Sequence, residues 1–134
     1  MQQEHITVIQ ESASLSRSGK IPFAESVQRL MRIGVERYHA DYSRQECTYY
    51  MPDGESLIVA LPHESGEIAE TFSAQAVEAS VRQSQRGEII YPQFVKQTQA
   101  AGCVGYFVQI TGRQAIYFGR RGEIHLERFP AAKT

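Results

Sequence analysis

Two short stretches pair a histidine with an acid two residues further on: His39-x-Asp41 in "RYHAD" and His125-x-Glu127 in "IHLER". Alternate residues of a β-strand point to the same side, so each pair would share one face. A carboxylate beside an imidazole raises its pKa and fixes its orientation, as general acid–base chemistry or metal binding requires. If the two faces converge, His39, Asp41, His125 and Glu127 make a ligand set for a divalent cation. That is the enzyme or metal-protein reading of the chain. The plainer reading is a solvated strand face, where this spacing is common.

Cys47 stands between Glu46 and Thr48 and becomes a candidate nucleophile if His39 lies across a hairpin from it. Nothing near it in sequence would lower its pKa, and Glu46 opposes a thiolate. A buried, inert thiol is the simpler expectation for Cys47, and more so for Cys103. "HESGE" lacks the second histidine of a zincin helix, and the chain has no Walker loop, GxGxxG or GxSxG. No cofactor is expected, and the balance leans away from an enzyme.

The other chemical feature is positive charge. "FGRRGE" sets Arg120 and Arg121 in a glycine-bounded turn, and Arg113 and Arg128 extend the cluster in sequence. Such a patch would grip a phosphate or an acidic partner surface, although arginines in a turn also serve solubility. Residues 1–85 carry seven basic and twelve acidic side chains, whereas residues 86–134 carry seven and three. The whole chain has a net charge of -1, which argues against a general nucleic-acid binder. The leading expectation is a non-enzymatic module that binds a protein or a small anionic ligand through its sheet or this patch. The four-residue His/acid enzyme is the alternative, and a nucleic-acid-associated regulator comes third.

The elements that must position these residues are written twice. A shift of 68 residues aligns Gly19 with Gly87, Val27 with Val95, Gly34 with Gly102 and Tyr38 with Tyr106. The same shift aligns Tyr49 with Tyr117 and Gly54-Glu55 with Gly122-Glu123. This predicts an internal duplication over about residues 3–61 and 71–129, joined by a connector at 62–70. "PFAESVQRLMRIG" places Phe23, Val27, Leu30 and Met31 at helical spacing, and "PQFVKQTQAAG" repeats it through Phe94, Val95, Thr98 and Ala101. Earlier helices are expected at roughly 3–15, through Ile6, Ile9 and Ala13, and 73–84, through Ala76, Val77 and Val81. After each glycine come three short β-type runs. Each unit reads helix, helix, three-stranded antiparallel meander. Neither meander can cover its apolar face alone, so the expectation is one α+β domain, 1–134, with helices packed on a merged sheet. The repeated tyrosines suit that core, while Tyr50 and Phe118 lie on the opposite face and turn to helices or a groove.

The duplication also sorts the candidates. His39 and Asp41 face Phe107 and Gln109 in the other copy, His125 and Glu127 face Leu57 and Val59, and Arg120-Arg121 face Pro52-Asp53. What differs between copies is where a function would have been added.

"FAESVQRLMRIGVERYHADYSRQECTYY", "YPQFVKQTQAAGCVGYFVQITGRQAIYFGRRGE" and "ERFP" together resemble a family of small bacterial proteins of unknown function. Its members are often prophage-encoded and loosely labelled phage envelope proteins. The resemblance spans roughly residues 17–130. It implies an α+β domain and a link to mobile elements, and it brings no accepted activity, cofactor or catalytic residue. No signal peptide is evident, and no apolar run approaches the ~20 residues needed to cross a bilayer. With two cysteines in no disulfide pattern, the expectation is a cytoplasmic protein without a membrane role.

Overall fold

A computed structural model describes residues 1–64 and 66–129; Ser65 of the expected connector and Pro130 of "ERFP" lie outside the described residues. The chain runs α1 (Gln3–Arg17), α2 (Phe23–Arg32), β1 (Arg37–Asp41), β2 (Glu46–Tyr50), β3 (Ser56–Ala60), then α3 (Ala74–Gln85), α4 (Tyr91–Ala100), β4 (Cys103–Gln109), β5 (Gln114–Gly119) and β6 (Ile124–Arg128). This is the expected α+β class. All six strands form one antiparallel sheet in the order β3-β2-β1-β4-β5-β6.

The helices start and stop for local reasons. Pro22 precedes α2 in extended conformation, where its fixed φ and missing N–H cost nothing. Ser73 caps α3, its hydroxyl accepting from the Ala76 amide at 3.1 Å. At the start of α4, Gln93 reaches back to accept the Ile90 amide at 2.9 Å. Gly34 and Gly102 end α2 and α4 at the same φ, +88°, which only glycine adopts freely.

The two halves share backbone geometry as well as element order. Every described residue with positive φ has a counterpart 68 positions away: Gly19 and Gly87, Gly34 and Gly102, Gln45 and Arg113, Gly54 and Gly122. Strand registers repeat too. Tyr38 pairs with Tyr49 as Tyr106 pairs with Tyr117, and Leu57 faces Tyr49 as His125 faces Tyr117. The halves meet at β1 and β4, where His39 pairs with Phe107. Since 39 and 107 are themselves 68 apart, an approximate two-fold axis crosses the sheet between them.

All four helices cover one face. Tyr38, Ala40, Cys47, Tyr49, Tyr106, Val108, Ala115 and Tyr117 point into them and pack with Ile9, Val27, Leu30, Val77, Val81, Phe94 and Val95 in one buried core. Three apolar helix positions depart from expectation. Met31 and Phe23 are half-exposed rather than buried. On α3 Ala76 is exposed, and Ser80 takes the core position, bonding to the Ala76 carbonyl and to Gln97. The hydroxyl is tolerated there because both of its bonds stay inside the protein.

Candidate functional site: the open face of the sheet

With the helices on one side, the other side of the sheet carries no cover among the described residues. Register places its side chains in rows that run across the strands. The central row is Ile58, Thr48, His39, Phe107, Ile116 and Leu126, each a direct cross-strand neighbour of the next. A second row ends in Gly105, Phe118 and Ile124, and a third in Gln109, Gln114 and Arg128. The half built by β4–β6 is therefore apolar: Phe107, Ile116, Phe118, Ile124 and Leu126 adjoin one another. Phe107 and Phe118 meet edge to face at 6.0 Å, while Ile124 is 58% exposed and Leu126 38%. The half built by β1–β3 is more polar, with Arg37 lying over the Tyr50 ring at 4.3 Å.

Of the first histidine–acid pair, His39 sits at the centre of this face, stacked on Phe107 with ring centroids 4.4 Å apart. Asp41 lies on the same face but is engaged by its own turn, accepting from the amides of Ser43 and Arg44 at 3.1 and 3.2 Å. The second pair is on the other side. His125 is the cross-strand partner of Tyr117, a core residue, so it points towards the helices. Its Nε2 is 2.7 Å from Glu127 Oε1; Arg82 donates to Glu127 at 3.1 Å and to Glu78 at 3.3 Å. This network joins β6 to α3. The four residues His39, Asp41, His125 and Glu127 therefore do not converge, because the sheet lies between the pairs. No group of three or more His, Cys, Asp or Glu among the described residues is placed to hold a metal ion.

Cys47 also lies across the sheet from His39. It pairs with Ala40 and faces the core, whereas His39 pairs with Thr48 on the open side. Burial pushes its thiol up to about 12 and the Cys103 thiol to about 11. Both are inert at neutral pH.

The arginine cluster is split. Arg113 and Arg128 are at one end of the β5–β6 hairpin, and Arg120 and Arg121 at the other, roughly 20 Å away along a six-residue strand. Arg120 donates to the Ile68 carbonyl at 2.6 Å and Arg121 to the Glu70 carbonyl at 3.3 Å, so both hold the connector. The sequence reading gave no weight to Phe107, Ile116, Ile124 and Leu126. The signal available was alternation: along β4–β6 the side opposite the tyrosines is apolar as well, which a solvated face would not be.

Fold and site thus define a four-helix, six-strand α+β protein with one bare, partly apolar sheet face. Residues 59–128 match the family described as protein of unknown function (DUF1398), and the chain belongs to that family. The matched segment runs from within β3 to the last residue of β6, so it contains the whole apolar half of the face. No curated protein matches the chain. Among the described residues, no helix is long and apolar enough to cross a membrane.

Proposed function

We propose that the protein is a non-enzymatic binding module whose open sheet face engages another protein, and that the first occupant of that face is a second copy of the same chain. The observation that carries this reading is the uncovered cluster Phe107, Ile116, Phe118, Ile124 and Leu126. Contiguous apolar surface of this kind marks an interaction site more often than a solvated surface. Six strands ~4.8 Å apart, each about five residues of ~3.3 Å, give the whole face a footprint of roughly 500 Å² before side-chain relief is counted, against the ~800 Å² that one partner of a standard-size interface buries. A two-fold pairing lets the apolar half of one copy cover the apolar half of the other, as a self-complementary patch must.

Two further parts of the reading rest on the sequence. The 68-residue echo, supported by the paired positive-φ residues and repeated registers, is taken as a tandem duplication. The family resemblance supports a prophage-associated accessory role.

Light scattering on the size-fractionated full chain, over a wide concentration series, tests the assembly. The expected result is a dimer that Ile124→Glu with Leu126→Glu converts to a monomer of unchanged circular dichroism. A wild-type chain that stays monomeric at every concentration overturns the second-copy reading, as does a dimer indifferent to both changes.

A further inference from the structure

The charged side chains of the open face are sorted by end. Arg37 and Arg128 stand in the row that runs through Tyr50, Gln109 and Gln114, while Asp41 and Glu46 stand in the opposite row with Gly105 and Phe118. Four steps along β1, ~13 Å, separate Arg37 from Asp41. The central row of His39 and Phe107 lies between them. These charges belong to the first half: 68 positions on, Arg37, Asp41 and Glu46 become Gly105, Gln109 and Gln114. Each end is partly neutralised within the chain. Arg37 touches Glu36 and lies over the Tyr50 ring at 4.3 Å, and Glu46 is paired with Arg44 of the β1–β2 turn at 2.6 Å. Asp41 gives only Oδ1 to the turn amides. Neither Asp41 nor Arg128 forms an ion pair among the described residues.

This sorting discriminates between the ways in which a second copy can lie on the face. Two copies laid face to face are related by a two-fold axis in the plane between them. An axis parallel to the strands through the middle of the sheet puts the apolar half of each copy on the polar half of the other. Moved out to β5, it joins the apolar halves but leaves β1, β2 and β3 uncovered, and it sets each row on the same row of the other copy. An axis across the strands, along the central row, sets every strand over its own counterpart. Apolar half then meets apolar half, the whole footprint of roughly 500 Å² is covered, and the basic row lies on the acidic row. The strands of the two sheets are nearly aligned in this arrangement, a common packing of twisted sheets.

We propose that two copies pair about this transverse axis, with Arg37 of each copy meeting Asp41 of the other and His39, Phe107 and Ile116 facing their own counterparts. The inference rests on the self-pairing read above and fixes its geometry. Tyr50 falls over Glu46 of the second copy, so the hydroxyl adds a donor beside the guanidinium. The matching surface must carry acids and bases in the same two rows, as this chain's own face does. Complementary charges of this kind set register and reject wrong partners more than they add affinity.

The test compares full-length wild type, Arg37→Asp, Asp41→Arg and an equimolar mixture of the two variants by light scattering across the dissociation range of the wild-type dimer. In either variant alone, like charges meet twice, and the dimer weakens tenfold or more with circular dichroism unchanged. In the mixture both contacts join opposite charges again, and dimers of near wild-type strength return. Asp41→Asn keeps an acceptor for the turn amides should Asp41→Arg not fold. Mixed with Arg37→Asp, it dimerises more tightly than either variant alone. Variants as tight as wild type, or mixtures no tighter than their components, overturn this geometry while the self-pairing stands. A wild-type chain that stays monomeric overturns both.

Discussion

His39 and Phe107 stack across the centre of the sheet with rings 13° from parallel, and each holds the same position in its own half of the chain. The imidazole is thus the first half's version of a phenyl ring. Its neighbours across the strands are Phe107 and Thr48, so neither of its direct cross-strand partners is a carboxylate. His39→Phe should therefore give a protein stable to within about 1 kcal/mol of wild type, the scale of an aromatic cross-strand pair. Denaturant unfolding measures this. A large loss of stability on this change would show that the imidazole makes a polar contact beyond stacking.

The paired glycines give a sharper comparison. Gly34 and Gly102 share φ +88°, so alanine at either costs about 1–2 kcal/mol in left-handed strain. Their surroundings differ. A Cβ at Gly34 would come no closer than 3.8 Å to Met51, whereas at Gly102 it would lie 2.5 Å from the Thr71 carbonyl and 2.8 Å from Phe72 Cα. Gly34→Ala should stay within that strain. Gly102→Ala should exceed about 3 kcal/mol, because backbone must move as well. Equal costs in paired unfolding curves would contradict the close connector packing.

Much of this architecture is legible in the sequence, and the reasons are local. Glycine at a helix end and tyrosines alternating along a strand announce their geometry through short-range sterics, so the 68-residue echo carries over to three dimensions. The candidate site depends on parity between strands instead. Cys47 is one residue away from Thr48, the true partner of His39, and a single step in register reverses the face of a side chain. The same parity sends His125 inward. An unequal pair beneath the helices is harder still to read. Ser26 looks like one more polar residue on an amphipathic helix until Phe94 shows what its position can hold.

Arg120 and Arg121 were candidates for anion binding, yet their guanidiniums already have backbone partners. The Ile68 and Glu70 carbonyls they hold lie in the stretch that crosses from the first half to α3, which is otherwise anchored by the Ala69 amide to Gln99 and the Ser73 amide to Ala101. Replacing both arginines by alanine should raise amide hydrogen exchange through residues 66–73 and lower Tm by roughly 2–5 °C. Exchange confined to wild-type levels would mean that these contacts do not hold the connector.

The thiols and phenols of the core set the response to alkali. Cys47 and Cys103 ionise at about 12 and 11 when folded, against 9 for an unperturbed thiol, and desolvation is the main cause for both. Burial also raises Tyr38, Tyr42, Tyr49 and Tyr106 well above 10. For each group the unfolded chain releases its proton first, so unfolding gains from every step above the unfolded pKa. Stability should hold up to about pH 9 and fall continuously from there towards pH 12. Native protein at pH 8 should leave both thiols unmodified by a disulfide reagent, with two reacting per chain once guanidinium is added. The phenolate absorbance of the core tyrosines should appear together with loss of circular dichroism rather than before it. A thiol that reacts in the folded protein at neutral pH would instead return Cys47 to the list of nucleophiles.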